Sequence, residues 1–109
     1  MDKLFIAIRQ DLPPKIQAVQ ACHALQAMND QHPETIKAWG GNLVLLGVKD
    51  TKELSELHCR LQRAQVPVAS FCEPDLEGQA TSLAIDGRAW KQLSSLPLAL
   101  RDAPLRSVA

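Results

Sequence analysis

The stretch "KLFIAI", residues 3–8, is apolar along almost its whole length, and "NLVLLGV", residues 42–48, repeats this character. A strand with one face in water alternates apolar and polar residues, whereas a strand covered on both faces does not. Both stretches therefore predict buried strands of a parallel or mixed sheet with helices on its two faces. That architecture defines the fold class as α/β.

The segments around these two strands complete the predicted order of elements. Proline is tolerated in the first turn of a helix, so Pro13 and Pro14 predict a helix that begins there. Asp50 or Thr51 is a suitable N-cap for another helix. Helices are predicted at residues 14–31, 33–39, 51–65 and 86–93, and two further strands at residues 67–73 and 80–85.

The resulting order, β-α-α-β-α-β-β-α, predicts a four-stranded mixed sheet flanked by helices. Two crossover connections make the first three strands parallel, and the short last connection makes the fourth strand antiparallel. We expect a single domain over residues 1–109, with a core at about 3–93. The tail at about 94–109 shows no pattern that predicts an element.

The composition limits the classes of protein to which the chain can belong. Hydrophobic residues make up 46% and charged residues 22%, which is too apolar for a disordered chain. The longest apolar runs are about six residues, whereas a membrane span needs roughly 20, and the N-terminus lacks the layout of a signal peptide. We therefore expect a cytoplasmic protein with no membrane partner. Twelve basic residues balance twelve acidic ones, which mildly opposes a nucleic-acid partner but leaves a local basic patch open.

Polar side chains follow three of the predicted strands, at the edge where α/β sheets bind ligands. These segments are residues 9–11, 48–50 and 72–75, and Glu73 and Asp75 are the most informative members. The first helix carries Gln20 and His23, which are three residues apart and share a face. Structural roles explain some of these residues equally well: His23 as a surface histidine, Asp11 as a helix cap and Asp75 as a turn former.

Cysteine and metal chemistry are not expected. Cys22 is next to His23, but adjacent helical residues point about 100° apart, so the two cannot act as nucleophile and base. We expect Cys22 to be a small core residue. The histidines and cysteines show no C-x-x-C or H-x-x-x-H spacing, so no metal site is predicted.

Four segments resemble the type II peptidyl-tRNA hydrolases over roughly residues 3–86. They are "IRQDL", "QAVQACHA", Trp39-Gly40 before "NLVLLGV", and "EPDLEGQATSLAI". The last is similar to the small branch of the family in which an E-P-D segment precedes a T-x-L/I-A strand. The resemblance implies hydrolysis of the ester that joins a peptide to the 3′ end of tRNA. It also implies no cofactor or metal, tRNA as the partner, and a homodimer.

The resemblance further implies roles for individual residues. The family's glutamine and histidine of the first helix fall on Gln20 and His23, its strand threonine on Thr81, and its acidic residue on Glu73 or Asp75. As a hypothesis, the carboxylate, directly or through His23, activates a water molecule, while Gln20 and Thr81 hold the ester or its oxyanion. Arg9, Asp11 and Lys15 are the expected substrate-binding residues, with the two cations on tRNA phosphates.

Two departures from the family pattern favour alternative functions. The family has a Gly-Lys segment at the start of the first helix, whereas this chain has "DLPPKIQ", in which Lys15 does not align with that lysine without a gap. The family's D-A-G is also replaced by E-P-D. The alternatives are a non-catalytic relative that binds RNA or protein, and a hydrolase that acts on a different acyl ester or amide.

Overall fold

The computed structural model of the chain describes residues 1–100. Its strands are β1 (Lys3–Arg9), β2 (Asn42–Val48), β3 (Val68–Glu73) and β4 (Gln79–Ile85), and its α-helices are α1 (Pro14–Gln31), α2 (Pro33–Ala38) and α3 (Thr51–Arg63). Two 3-10 helices, Pro74–Leu76 and Gly87–Leu93, follow β3 and β4. The predicted element order is confirmed, except that the last helix is a 3-10 helix. The part of the predicted tail at 101–109 lies outside the described residues.

The four strands form one mixed sheet in the order β2-β1-β4-β3. β1 pairs with β2 in parallel, and β4 is antiparallel to both β1 and β3. β1, β2 and β3 therefore run in the same direction, as predicted. Because β4 runs antiparallel to its neighbours β1 and β3, the start of β4 lies at the same end of the sheet as the ends of the other three strands.

Helices cover both faces of the sheet, which explains why its strands do not alternate in sequence. On one face α1 packs against Leu4, Ile6 and Ile8 of β1. On the other face α3 places Leu54, Leu57 and Leu61 against the sheet. Asp50 begins α3 as predicted, because its side chain accepts a hydrogen bond from the backbone N–H of Glu53 at 3.0 Å.

The segment after the last 3-10 helix pairs with the outer edge of β2. The backbone N–H of Gly47 donates to Pro97 O at 2.8 Å, and the N–H of Ala99 donates to Leu45 O at 2.9 Å. The bridge between Leu46 and Leu98 is antiparallel. This short extension satisfies backbone groups that an open sheet edge would expose.

Within residues 1–100, no helix is long and apolar enough to cross a membrane. No group of three His, Cys, Asp or Glu side chains in that part of the chain is arranged to hold a metal ion.

Candidate active site

Thr81 lies in a β-bulge on β4. The register passes from Phe71 opposite Ser82 to Cys72 opposite Ala80, so Thr81 has no residue of its own opposite it on β3. A bulge adds a residue to one strand and breaks the strict alternation of side chains. Thr81 and Ser82 are neighbours in sequence, yet the side chains of both donate hydrogen bonds to the same helix, α1.

Gln20 on α1 joins Thr81 to Glu73 through hydrogen bonds. The Thr81 hydroxyl donates to Gln20 Oε1 at 2.6 Å, and Gln20 Nε2 donates to Glu73 Oε2 at 3.0 Å. Gln20 is 3% exposed and Thr81 is fully buried, so both polar groups need partners. Because an ionised carboxylate only accepts hydrogen bonds, Gln20 must turn its nitrogen to Glu73 and its oxygen to Thr81.

Glu73, at the end of β3, is the carboxylate that contacts Gln20. Its Oε1 also accepts from the backbone N–H of Asp75 at 3.3 Å. The hydrogen bond from Gln20, followed by that from Asp75, holds the pKa of Glu73 below its ordinary value. Glu73 is therefore ionised at neutral pH. Asp75 lies in the short 3-10 helix after β3 and its side chain is exposed.

His23 lies beside this chain of hydrogen bonds, against the ring of Phe71. The two ring centroids are 4.4 Å apart and the ring planes differ by 16°. Phe71 and Glu73 are two residues apart on β3 and therefore face the same side of the sheet. His23 is near enough to contribute electrostatically to the lowered pKa of Glu73, and it is exposed to solvent. An approaching substrate can thus reach an imidazole that stands next to a carboxylate.

Arg9 and Asp11 form a second cluster, at the end of β1. Arg9 Nε and Nη2 donate to the two Asp11 oxygens at 3.0 and 2.8 Å. Arg9 Nη1 donates to Gln79 Oε1 at 3.0 Å and to Ala80 O at 3.2 Å. The Asp11 carboxylate raises the pKa of Arg9, and the guanidinium lowers the pKa of Asp11. Arg9, 6% exposed, therefore ties the end of β1 to the start of β4.

Asp11 and Lys15, near the start of α1, take no part in the hydrogen bonds of Gln20. Asp11 does not cap α1, whose N-cap is Pro13 without a side-chain hydrogen bond. Lys15 is exposed in the first turn of α1. It precedes Gln20 by five residues, which corresponds to about 140° around a helix. Lys15 therefore lies on a different side of α1 from Gln20.

The buried face of α1 contains two glutamines that its apolar pattern does not predict. The residues of α1 that are buried are Gln17, Gln20, Ala21, Ala24 and Met28. Cys22 is exposed, so the prediction that it is a core residue is wrong. Alanine occurs on several sides of this helix, which weakens its periodicity. Hydrogen bonds, such as that from Gln17 Nε2 to Leu12 O at 2.6 Å, allow glutamine side chains to be buried instead.

Three residues around the candidate site were not anticipated from the sequence. Phe71 contacts His23, Ser82 Oγ donates to the backbone oxygen of Gln20 at 2.8 Å, and Gln79 accepts from Arg9. Strand alternation could have placed Phe71 on the face of Glu73. The bulge that brings Ser82 and its neighbour to the same helix has no signal in this sequence.

Together these features define an α/β protein whose polar site combines a glutamine and a histidine of one helix with a strand-end carboxylate and a bulged threonine. The family described as Peptidyl-tRNA hydrolase PTH2 matches residues 2–95 of the chain. The chain therefore belongs to this family of peptidyl-tRNA hydrolases, which acts in translation. A comparison with curated proteins finds none that matches.

Proposed function

We propose that the protein hydrolyses the ester bond of peptidyl-tRNA at the site of Gln20, His23, Glu73 and Thr81. The observation that carries the proposal is the chain of hydrogen bonds from Thr81 through Gln20 to Glu73, beside an exposed His23. Membership of the peptidyl-tRNA hydrolase family supports the reaction class.

We assign His23 as the general base that activates the attacking water. An imidazole accepts and returns a proton near neutral pH, which suits a general base that later acts as a general acid. Glu73 is a weaker base because its pKa is lowered, but its negative charge stabilises an imidazolium ion. The water oxygen attacks the ester carbonyl carbon while His23 takes the proton. Cleavage of the bond to the ribose oxygen then returns that proton to the leaving oxygen.

Gln20 and Thr81 are assigned to the ester carbonyl. Glu73 accepts a hydrogen bond from one of the two N–H groups of the Gln20 amide. The other N–H group is assigned to donate to the oxyanion that develops on the ester carbonyl oxygen. The Thr81 hydroxyl keeps the amide in this orientation through its bond to Gln20 Oε1. Donors whose direction is set before the reaction need not reorganise during it, which is how such sites stabilise a transition state.

The substrate-binding roles that we propose for Arg9, Asp11 and Lys15 differ from those expected from the sequence. All three nitrogens of the Arg9 guanidinium are engaged by Asp11, Gln79 and Ala80. We therefore assign Arg9 and Asp11 to holding the end of the sheet in place. Lys15 is exposed and is assigned to a tRNA phosphate, because a lysine can neutralise a phosphate without a fixed hydrogen-bond geometry.

The test is an assay of ester hydrolysis with an N-acetylated aminoacyl-tRNA. We expect the wild-type chain to cleave it, and His23→Ala and Glu73→Gln to lower the rate by about 100-fold or more. Glu77→Gln is the matched control, because Glu77 is an exposed carboxylate of the same loop, and its rate should be unchanged. Asp75→Asn compares the two candidate carboxylates. Intact ester after long incubation with the wild-type chain, beside an active control hydrolase, would refute the proposal.

A second function, RNA binding without turnover, is favoured by the position of Lys15, which is exposed and lies about 140° around α1 from Gln20. In that case the chain binds tRNA and leaves the ester intact. A salt titration of tRNA binding identifies phosphate contacts, since affinity for phosphates falls steeply as the salt concentration rises.

A further inference from the structure

A cavity of about 770 Å³ opens at the end of the sheet opposite the candidate active site. It lies between the first residues of β1 and the 3-10 helix Gly87–Leu93, whereas the Gln20 cluster lies where β1 ends. Phe5, Leu46 and Leu93 line the cavity and belong to the core on the α3 face of the sheet. The cavity is therefore separate from the candidate active site in both position and face. Its volume falls within the range of small-molecule sites, about 300–1,000 Å³.

Gly87 allows the two walls of the cavity to meet. A Cβ atom at this position would overlap the backbone carbonyl oxygen of Lys3, so a larger residue would push the 3-10 helix away from β1. The 3-10 helix turns Ala89 and Leu93 into the core and leaves Trp90, 55% exposed, at the cavity. An exposed indole beside an apolar floor offers a flat surface for another ring.

Arg88 stands at the same cavity and is held by a buried carboxylate. Its Nε and Nη2 donate to the two oxygens of Asp86 at 2.9 and 2.7 Å. Asp86, whose side chain is 0% exposed, also accepts from the Arg88 backbone N–H at 2.9 Å and from Thr35 Oγ1 at 3.1 Å. Neither side-chain bond to Asp86 uses Nη1, and the Arg88 side chain is 67% exposed. A guanidinium oriented in this way presents donors in one direction.

The charges around the cavity favour an anion. Lys3 and Arg88 line it, and Lys91 Nζ lies 5.4 Å from the centre of the Trp90 ring. Asp86 is paired with Arg88, and Asp2, which also lines the cavity, accepts a hydrogen bond from Asn42 Nδ2 at 2.6 Å. The three cations Lys3, Arg88 and Lys91 outnumber these two carboxylates. Within residues 1–100, Lys3 and Lys91 are in no salt bridge with a carboxylate.

We propose that this cavity binds a small aromatic carboxylate, with its ring against Trp90 and the apolar floor and its carboxylate on Arg88 and Lys3. The volume suits one such molecule, the indole and the leucine floor suit a flat apolar body, and the two cations suit a single anionic group. The site has no part in the proposed ester hydrolysis.

The experiment is a nuclear magnetic resonance titration of the ¹⁵N-labelled full chain with 2-naphthoate. The indole N–H signal of Trp90 should shift and saturate. Trp39 packs against the core on the α1 face of the sheet, whereas the cavity opens on the α3 face, so the indole N–H signal of Trp39 should shift much less. The neutral analogue 2-naphthalenemethanol should bind about tenfold more weakly, because it lacks the charge-assisted hydrogen bonds.

Substitutions of the cavity residues distinguish binding at the proposed contacts from nonspecific binding. Arg88→Gln should weaken binding of 2-naphthoate by about tenfold, and Lys37→Gln, which removes an exposed cation of α2, should leave it unchanged. If Arg88→Gln does not fold, Lys3→Gln and Trp90→Ala provide the test, since both residues are exposed. Each should weaken binding of 2-naphthoate. For Trp90→Ala, which lacks the reporting indole, binding is followed through the signals of the ligand. No saturable shift at millimolar 2-naphthoate, equal affinity for the neutral analogue, or unchanged affinity in these variants would overturn the proposal.

Discussion

Replacing Thr81 with valine tests the hydrogen bonds of the candidate site with little change in shape. Valine replaces the hydroxyl with a methyl group, so the 2.6 Å bond to Gln20 Oε1 is lost. Gln20 is 3% exposed, so its oxygen is left buried without that donor. An unsatisfied buried acceptor costs about 1–3 kcal/mol, against a total stability of about 5–15 kcal/mol for a domain of ordinary size.

We expect Thr81→Val to lower the free energy of unfolding by about 1–3 kcal/mol, measured by urea denaturation. Thr51→Val is the matched control, because Thr51 begins α3 and its hydroxyl makes no hydrogen bond within residues 1–100; it should change stability by about 0.5 kcal/mol or less. Thr81→Val should also slow ester hydrolysis, since the Gln20 amide loses one of the two bonds that orient it. Equal stabilities of the two variants would refute the reasoning.

Three further predictions concern other parts of the structure. The hydrogen bonds from Arg88 hold the pKa of Asp86 below its ordinary value, so the folded chain loses stability as the pH falls below about 3.9 and through that lowered pKa; Asp86→Asn should flatten this dependence in denaturation curves recorded from neutral to acidic pH. Phe71→Leu should slow ester hydrolysis by about two- to tenfold, because an aromatic pair contributes about 0.5–1.5 kcal/mol; an unchanged rate would mean that the stacked ring does not position His23. Gly87→Ala should lower the thermal midpoint by an amount equivalent to about 1–3 kcal/mol, since the added methyl overlaps the Lys3 carbonyl oxygen, and an unchanged midpoint would contradict the close approach.

The fold could be predicted well because its signals are local. The apolar run of β1 predicts a strand covered on both faces, and both faces are covered. Pro14 begins α1 and Asp50 caps α3, in each case for reasons that involve only neighbouring residues. The segment that pairs with β2 through Pro97 and Ala99 was not predicted, because an edge pairing depends on where the chain returns in space.

The residues of the candidate site were named from the sequence, but their environments were not. Gln20 was expected to share a face with His23, yet Gln20 is buried, His23 is exposed, and Gln20 is joined to a strand residue 61 positions away. Cys22 was assigned to the core and is exposed. Helical spacing describes which residues share a face, but it does not state which face meets the sheet when alanine lies on several sides.

The sequence by itself determined the order of elements, the two-sided burial of the sheet and the family to which the chain belongs. These follow from apolar runs, prolines, caps and motifs that are each read over a few residues. Only the tertiary structure decided that Glu73 rather than Asp75 contacts Gln20, and that a bulge turns Thr81 toward the same helix. The physical reason is that hydrogen bonds between distant segments, and the register of strands that brings them together, depend on the packing of the whole sheet.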